Sequence, residues 1–225
     1  MNNQKVILIF GPPVSGKTTT ALRLSVPLKF QYLSIGELVR NEIIKNTDFG
    51  RKARKFIENK FVFPKNFLKK IIISNLPRKN NFVLDGYPKS IEELSVFKNI
   101  ITEYKIIPII SLVFDIDRDT MVFRLKNRLF CPHCRMPKEI DYKEYTCLYC
   151  GKKLIKRIDD SLPLALKRYE HFYKNTNKVI AELQKDSVPT IKINGNSDLE
   201  TVFQQAFKTC QSILLVKNIK QHAHG

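Results

Sequence analysis

Apolar, β-branched runs recur along the chain at 6–10, 31–33, 82–84, 109–114 and 190–193, each of strand length and each bounded by polar or Gly/Pro-rich residues. Between them the period changes. Phe67-Leu68, Ile71-Ile72 and Asn75-Leu76 mark one helical face, and Ile91, Leu94, Phe97-Lys98 and Ile101 mark another. Strands alternating with helices of this length predict an α/β fold, a parallel sheet covered on both faces. Ser34, with Glu37 three residues later, reads as the capping box of a helix. Two short helices split at 46–50 then make a helical insert. A last helix is expected over 198–216, with a frayed tail beyond it. The alternation breaks once, between Leu129 and Arg157, where four of the cysteines lie.

The first strand runs into Gly11-Pro12-Pro13-Val14-Ser15-Gly16-Lys17-Thr18, which matches G-x-x-x-x-G-K-[ST] between a strand and a helix. Such a P-loop turns backbone N–H groups toward phosphate oxygens at a helix N-terminus, where the dipole favours negative charge. Lys17 is placed for the β- and γ-phosphates of a nucleoside triphosphate, and the Thr18 hydroxyl for Mg²⁺. Asp85-Gly86-Tyr87-Pro88 ends the third strand, and Asp85 at that edge suits Mg²⁺ held through water. Lys89 and Glu93, four apart, read as an exposed ion pair on the following helix. Arg124 and Arg128 are also four apart, so one helix face would carry both, a costly arrangement unless an anion bridges them.

Cys131, Cys134, Cys147 and Cys150 give C-x₂-C-x₁₂-C-x₂-C, the donor set of a closed tetrahedral Zn²⁺ site. The residues between carry few large apolar side chains, so metal would supply the stability that a core cannot. Four cysteines leave no open position, which makes the zinc structural. His133 is a bystander inside the first knuckle. Cys210, on the last helix, belongs to packing.

At 225 residues and 43% hydrophobic, the chain holds one sizeable core with small insertions. It has neither a bilayer-length apolar run nor signal-peptide anatomy, so a cytoplasmic protein without a membrane partner is expected. The net charge of +18 is spread over every helix, which suits compositional drift plus a phosphate cleft better than a nucleic-acid face.

Taken in order, the P-loop, Ser34-Ile35-Gly36-Glu37 with Arg40, Asp85-Gly86-Tyr87-Pro88, Arg124 and Arg128, the paired knuckles, Arg157-x-Asp159-Asp160 and Arg168 resemble the adenylate kinases of the zinc-lid type. The resemblance implies a P-loop NTPase three-layer fold with a five-stranded parallel sheet. Its parts are a core over 1–33, 64–125 and 164–225, an NMP-binding insert over 34–63 and a zinc-binding lid over 126–163. It implies a monomer transferring the terminal phosphoryl of ATP to AMP with Mg²⁺. Lys17, Arg128, Arg157, Arg168 and Asp160 would be catalytic. ATP would meet Gly11, Pro13, Val14, Ser15, Gly16, Thr18, Thr19, Arg124, Met136, Pro137 and Ser197. Arg40 would hold the acceptor's α-phosphate, and the backbone of Lys60, Phe61 and Val62 its base. Ile35, Gly86, Tyr87, Pro88, Lys89 and Glu93 would complete the acceptor site with Arg157 and Arg168.

Departures from the family pattern fall mostly on that acceptor site. Ile35 stands for the usual Thr, Lys89 for Arg and Glu93 for Gln. Lys89 keeps the charge but loses the bidentate fork. An ionised Glu93 only accepts hydrogen bonds, so guanine, with donors at N1 and N2, or cytosine, with its amine, are alternative acceptor bases to adenine, in a GMP or CMP/UMP kinase. In the P-loop, Val14 and Thr18 stand where glycine is common. Asn194-Gly195 replaces Asp-Gly, and Pro137-Lys138 replaces a frequent Tyr-His pair. Outside this class, a basic zinc-ribbon NTPase that binds nucleic acid is the competing expectation, with salt-sensitive binding as its mark.

Overall fold

The computed structural model describes residues 3–59, 64–133, 145–147, 150–157 and 160–222, and within these the side chains of all but 55–59, 65 and 216–222. Strand β1 is Gln4–Phe10, α1 Lys17–Ser25, β2 Gln31–Ser34, α2 Ile35–Ile44, α3 Asp48–Asn59 and α4 Lys65–Asn75. Then come β3 Phe82–Asp85, α5 Ile91–Glu103, β4 Ile106–Asp115, α6 Arg118–Asn127 and α7 Leu162–His171. A π-helical turn, Phe172–Thr176, joins α7 to α8 Asn177–Lys185, followed by β5 Thr190–Asn194 and α9 Leu199–His222.

The five strands are parallel, in the order β2-β3-β1-β4-β5, with β1 at the centre. A parallel sheet is covered on both faces, which is why 6–10 reads as an unbroken apolar run rather than an alternating one. Val6, Leu8 and Phe10 enter a core built with α2, α4, α5 and α8 side chains such as Val39, Leu68, Phe97 and Leu183. Ile7 and Ile9 enter the opposite core, with Ala21 and Leu24 of α1 and Val202, Ala206 and Cys210 of α9. The packing role expected of Cys210 holds: it is buried, and burial pushes its thiol up to about 12. In this order β3 and β4 flank β1, so the segments that follow all three strands meet at one end of the sheet.

Three boundaries differ from the sequence pattern. β4 begins three residues before the expected 109, because Pro108 is accommodated rather than excluded. The β1–β4 register shifts there, and β5 pairs only from Ser111 onward, so at Pro108 the missing N–H leaves no ladder bond unmade. The helix expected from 198 starts at Leu199. Asp198 accepts from Thr201 N–H at 2.9 Å and so caps the helix from outside. Its backbone runs on through Lys217 to His222, where no Pro or Gly interrupts it.

Gly50, expected in the break between the first two insert helices, lies inside α3. A Cβ at this position would collide with the backbone of Glu42 and Ile43, so glycine lets α3 ride directly on α2. Gly50→Ala is therefore expected to lower the melting temperature by about 2–6 °C in thermal unfolding. Helix propensity alone would favour alanine by about 1 kcal/mol, but backbone overpacking of about 1–3 kcal/mol opposes it. A raised melting temperature would contradict this close approach.

Candidate active site

Gly11 is the first fixed point of the site. A Cβ there would meet Ser15 Oγ at 2.7 Å and Phe114 Cβ at 2.8 Å, so the loop can fold tightly against β4 only with glycine. Gly16 takes φ +87 as the N-cap of α1 and offers no side-chain cap, leaving first-turn N–H groups to an anion. Val14 also has positive φ, +52, which is strained for a β-branched residue. Its side chain packs with Ile116, Met121, Leu125 and Ala165, tying the loop to α6 and α7. The departure from glycine at this position thus adds an apolar anchor.

The loop forms one wall of a cleft of about 800 Å³, within the usual size of a ligand site. Of the residues expected in the donor site, Gly11, Pro13, Val14, Ser15, Gly16, Lys17, Thr18, Thr19, Arg124, Arg128 and Ser197 line it. From the acceptor side, Arg40, Gly86, Lys89, Arg157 and Arg168 line it too. Ile35, Tyr87 and Glu93 are buried behind the wall, at 5%, 1% and 4% exposure. Asp160 stands at the edge, bonded to Arg128 at 3.2 Å. Lys60, Phe61, Val62, Met136, Pro137 and Cys134 lie outside the described residues. A second, wider hollow of about 1000 Å³ opens beside Asp115, Tyr173 and Lys192 without including the loop.

Cations dominate the lining, and the lysines register it. Lys17 donates to Pro12 O at 2.9 Å. Its ammonium is pushed down to about 7, first by burial and then by Lys89, Arg128 and Arg157, with Asp85 opposing them. Solvent reaches Lys89 through the open mouth of the cleft, yet the surrounding protein strips enough water to lower its pKa as well. Arg168 and Arg40 add to that lowering and Glu93 opposes it. The two lysines both reach Gly86: a Cβ there would lie 3.8 Å from Lys17 Cε and 3.9 Å from Lys89 Cε.

Two expected side-chain pairs separate in three dimensions. Arg124 and Arg128 do not share a helix face around one anion. Arg124 donates to Gly195 O at 2.6 Å and Ser197 O at 2.9 Å, joining the loop after β5 to the P-loop. Arg128 is the C-cap of α6, where the chain leaves helical geometry, and it reaches Asp160 instead. Nor do Lys89 and Glu93 form an exposed ion pair on one helix. Lys89 precedes the N-cap Ser90, so only Glu93 is on α5. Ser90 Oγ accepts from Glu93 N–H at 3.3 Å, and Glu93 Oε2 accepts the backbone N–H of Lys89 at 2.8 Å. Burial raises the Glu93 pKa, with the Lys89 charge and N–H opposing.

Asp85 ends β3 at 4% exposure. Its Oδ2 accepts from Thr18 Oγ1 at 2.8 Å and from Tyr32 OH at 3.0 Å, while buried Oδ1 has no hydrogen-bond partner among the described residues. An orphaned carboxylate oxygen beside a P-loop threonine fits a water-bound divalent cation. Tyr32 was not singled out by sequence. Its reach to Asp85 depends on the pairing of β2 with β3, which sets Ser34 opposite Asp85 and leaves Tyr32 on the same face. Phe130, under the Arg157 guanidinium at 5.0 Å, and His171, in the cleft wall, were also not anticipated. Neither carries a motif.

The cysteines gather at one point. The Sγ atoms of Cys131, Cys147 and Cys150 lie within 4.8 Å of one another, and none of the three is in a disulfide. Zn–S bonds of about 2.3 Å put ligand sulfurs about 3.8 Å apart, so the cluster is compatible with a zinc site. Around it the core is small: Cys131, Cys147 and Leu154. Two stalks of chain pair beneath it, Phe130 with Ile155 and Thr146 with Lys153.

The family model described as adenylate kinase matches residues 9–188. An adenylate kinase of Thermococcus gammatolerans is 32% identical over 204 residues, covering 88% of this chain and 91% of its own. That of Pyrococcus furiosus is 30% identical, over 88% and 92%. That of Petrotoga mobilis is 28% identical, over 92% and 97%. Glycine-lined loop, carboxylate, cationic cleft and cysteine cluster stand in the order of that family's motifs, and with the matches across most of its length the chain belongs to the adenylate kinase family.

Proposed function

We propose that the cleft is a two-nucleotide site at which the terminal phosphoryl group of ATP passes reversibly to AMP, giving two ADP. The observation that carries this reading is the meeting of Lys17, Arg128, Arg157 and Arg168 with Arg40 and Lys89 above the uncapped start of α1. Phosphoryl transfer needs little covalent help from a protein. It needs in-line placement and positive charge on the equatorial oxygens. The loop N–H groups and Lys17 would hold the donor phosphates. Arg124, its N–H edge occupied by carbonyls, offers a flat face to the donor base. Arg40 and Lys89 would hold the acceptor phosphate. Arg128, Arg157 and Arg168 would neutralise the moving group, with Asp160 keeping Arg128 in place. Mg²⁺, held by Thr18 and through water by Asp85, would supply charge neutralisation at the donor phosphates.

Segment 34–63 would act as the acceptor flap and 126–163 as a lid organised by Zn²⁺ on Cys131, Cys134, Cys147 and Cys150. The core would comprise 1–33, 64–125 and 164–225. Crowded cations repel one another until phosphates arrive, so occupation of both sites would favour closure over the cleft and exclude water. Among the described residues no helix is long and apolar enough to cross a membrane. The protein would work as a monomer in the cytoplasm, a reading supported by the meeting of donor-side and acceptor-side residues of one chain in a single cleft among the described residues.

Lys17→Ala is expected to lower kcat by about 10²–10³-fold in a coupled ADP-formation assay, with the circular dichroism spectrum unchanged. Near-normal turnover would overturn the reading. Metal chelation under reducing conditions is expected to lower the melting temperature by several degrees. Stoichiometric zinc release without that loss would show that the cysteines do not stabilise the lid. For acceptor choice, Glu93→Gln is expected to lower the KM for AMP. Burial raises the Glu93 pKa, so its protonated, donor-bearing form persists above the usual carboxylate range and is lost as pH rises. The wild-type KM should therefore climb with pH more steeply than the variant's, since the lysines of the cleft lose charge in both. Equal KM values throughout would mean that Glu93 does not read the base.

A further inference from the structure

Asp85 is gripped from two separate elements. Thr18 reaches it from α1 at 2.8 Å and Tyr32 from β2 at 3.0 Å, both at Oδ2. The opposite oxygen, Oδ1, is buried without a partner among the described residues. A carboxylate held by one donor still turns about its last torsion, which has broad, two-fold preferences. A second donor arriving from another strand fixes the plane, and with it the direction in which the free oxygen points. Thr18 has a second task, since its lone pairs are the ones a P-loop offers to the metal. The Tyr32 hydroxyl donates to Asp85 and also meets the Ser34 side chain, and its ring is half-buried against the core behind the loop.

We propose that Tyr32 is a positioning residue for the metal-side carboxylate, its phenol holding Asp85 Oδ2 so that Oδ1 stays turned to the water shell of the divalent cation. The proposal rests on the phosphotransfer reading and on Asp85 being the carboxylate that serves the cation. It assigns to β2 a part in the donor half of the site, although β2 leads into α2 and the acceptor-side Arg40. A phenol that merely satisfied its own hydroxyl would affect packing and leave cation affinity untouched.

The test is Tyr32→Phe in the full chain, with Thr18 and Asp85 intact. ATP binding is titrated by calorimetry with and without Mg²⁺, initial rates are followed across Mg²⁺ concentrations, and the melting temperature is recorded. The Mg²⁺ midpoint is expected to rise about tenfold, the scale for losing a residue that orients a metal ligand. ATP affinity without Mg²⁺ should stay at the wild-type value, and excess Mg²⁺ should restore most of the rate. Tyr32→Gln, which returns a donor, should fall between the two. A Mg²⁺ midpoint equal to wild type would overturn the proposal whatever the melting temperature, because a purely structural phenol moves stability and not the midpoint. A wild-type protein with no Mg²⁺-dependent transfer from ATP to AMP would overturn the reaction reading instead.

Discussion

Positive charge gathered in one cleft is the constraint on which the rest of this molecule depends. Lys17, Arg40, Lys89, Arg128, Arg157 and Arg168 line one cleft, and burial with mutual repulsion lowers the Lys17 ammonium to about 7. Such an arrangement is unfavourable unless the scaffold enforces it and an anion repays it. The central parallel sheet supplies the enforcement. Its inner strands are largely buried on both faces, and all five deliver their following segments to the same end. On the proposed function, nucleotide phosphates would supply the anion.

Several contacts convert this crowding into a defined site. Arg124 joins the loop after β5 to the P-loop through the carbonyl oxygens of Gly195, Ser197 and Val14. Gly195 permits that approach, because a Cβ there would meet Asp115 O at 2.6 Å and Ser15 O at 3.0 Å. On the acceptor side, Tyr87 donates to Glu93 O, stacks edge-on with Phe97, and places Glu93 under the backbone of Lys89. Thr176, at the end of the π-helical turn, donates to Lys89 O at 3.2 Å and ties the helix bearing Arg168 to that same segment. The walls of the cleft therefore rest on backbone positions held by side-chain bonds, one of them spanning 87 residues from Thr176 to Lys89.

Legibility in the sequence followed the range of the interaction. The P-loop could be read because its glycines, lysine and threonine act within eight residues, and its strand and helix are visible by period. Ser34 could be read as a cap because a cap acts across three residues. Pro108 was misleading for the opposite reason. Its effect on β4 depends on where β5 stops pairing, more than eighty residues later in the chain. Glu93 was legible as a departure from family pattern, but its burial and its bond to Lys89 N–H were not. A carboxylate four residues from a lysine looks the same on paper whether the helix starts before or after that lysine.

By itself the sequence determined the class of chemistry, the layered α/β fold, the cysteine cluster and the cationic character of the site. These depend on residue type, short spacing and period, which one chain carries locally. Only the tertiary structure decided how the cations are shared out: Arg124 to the carbonyls of 195 and 197, Arg128 to Asp160, and Lys17 and Lys89 together at Gly86. It likewise decided that Tyr32 and Thr18, from different elements, meet on one oxygen of Asp85. Those pairings join residues tens of positions apart. Strand register and helix crossing set them, and both are fixed only when the whole core has packed.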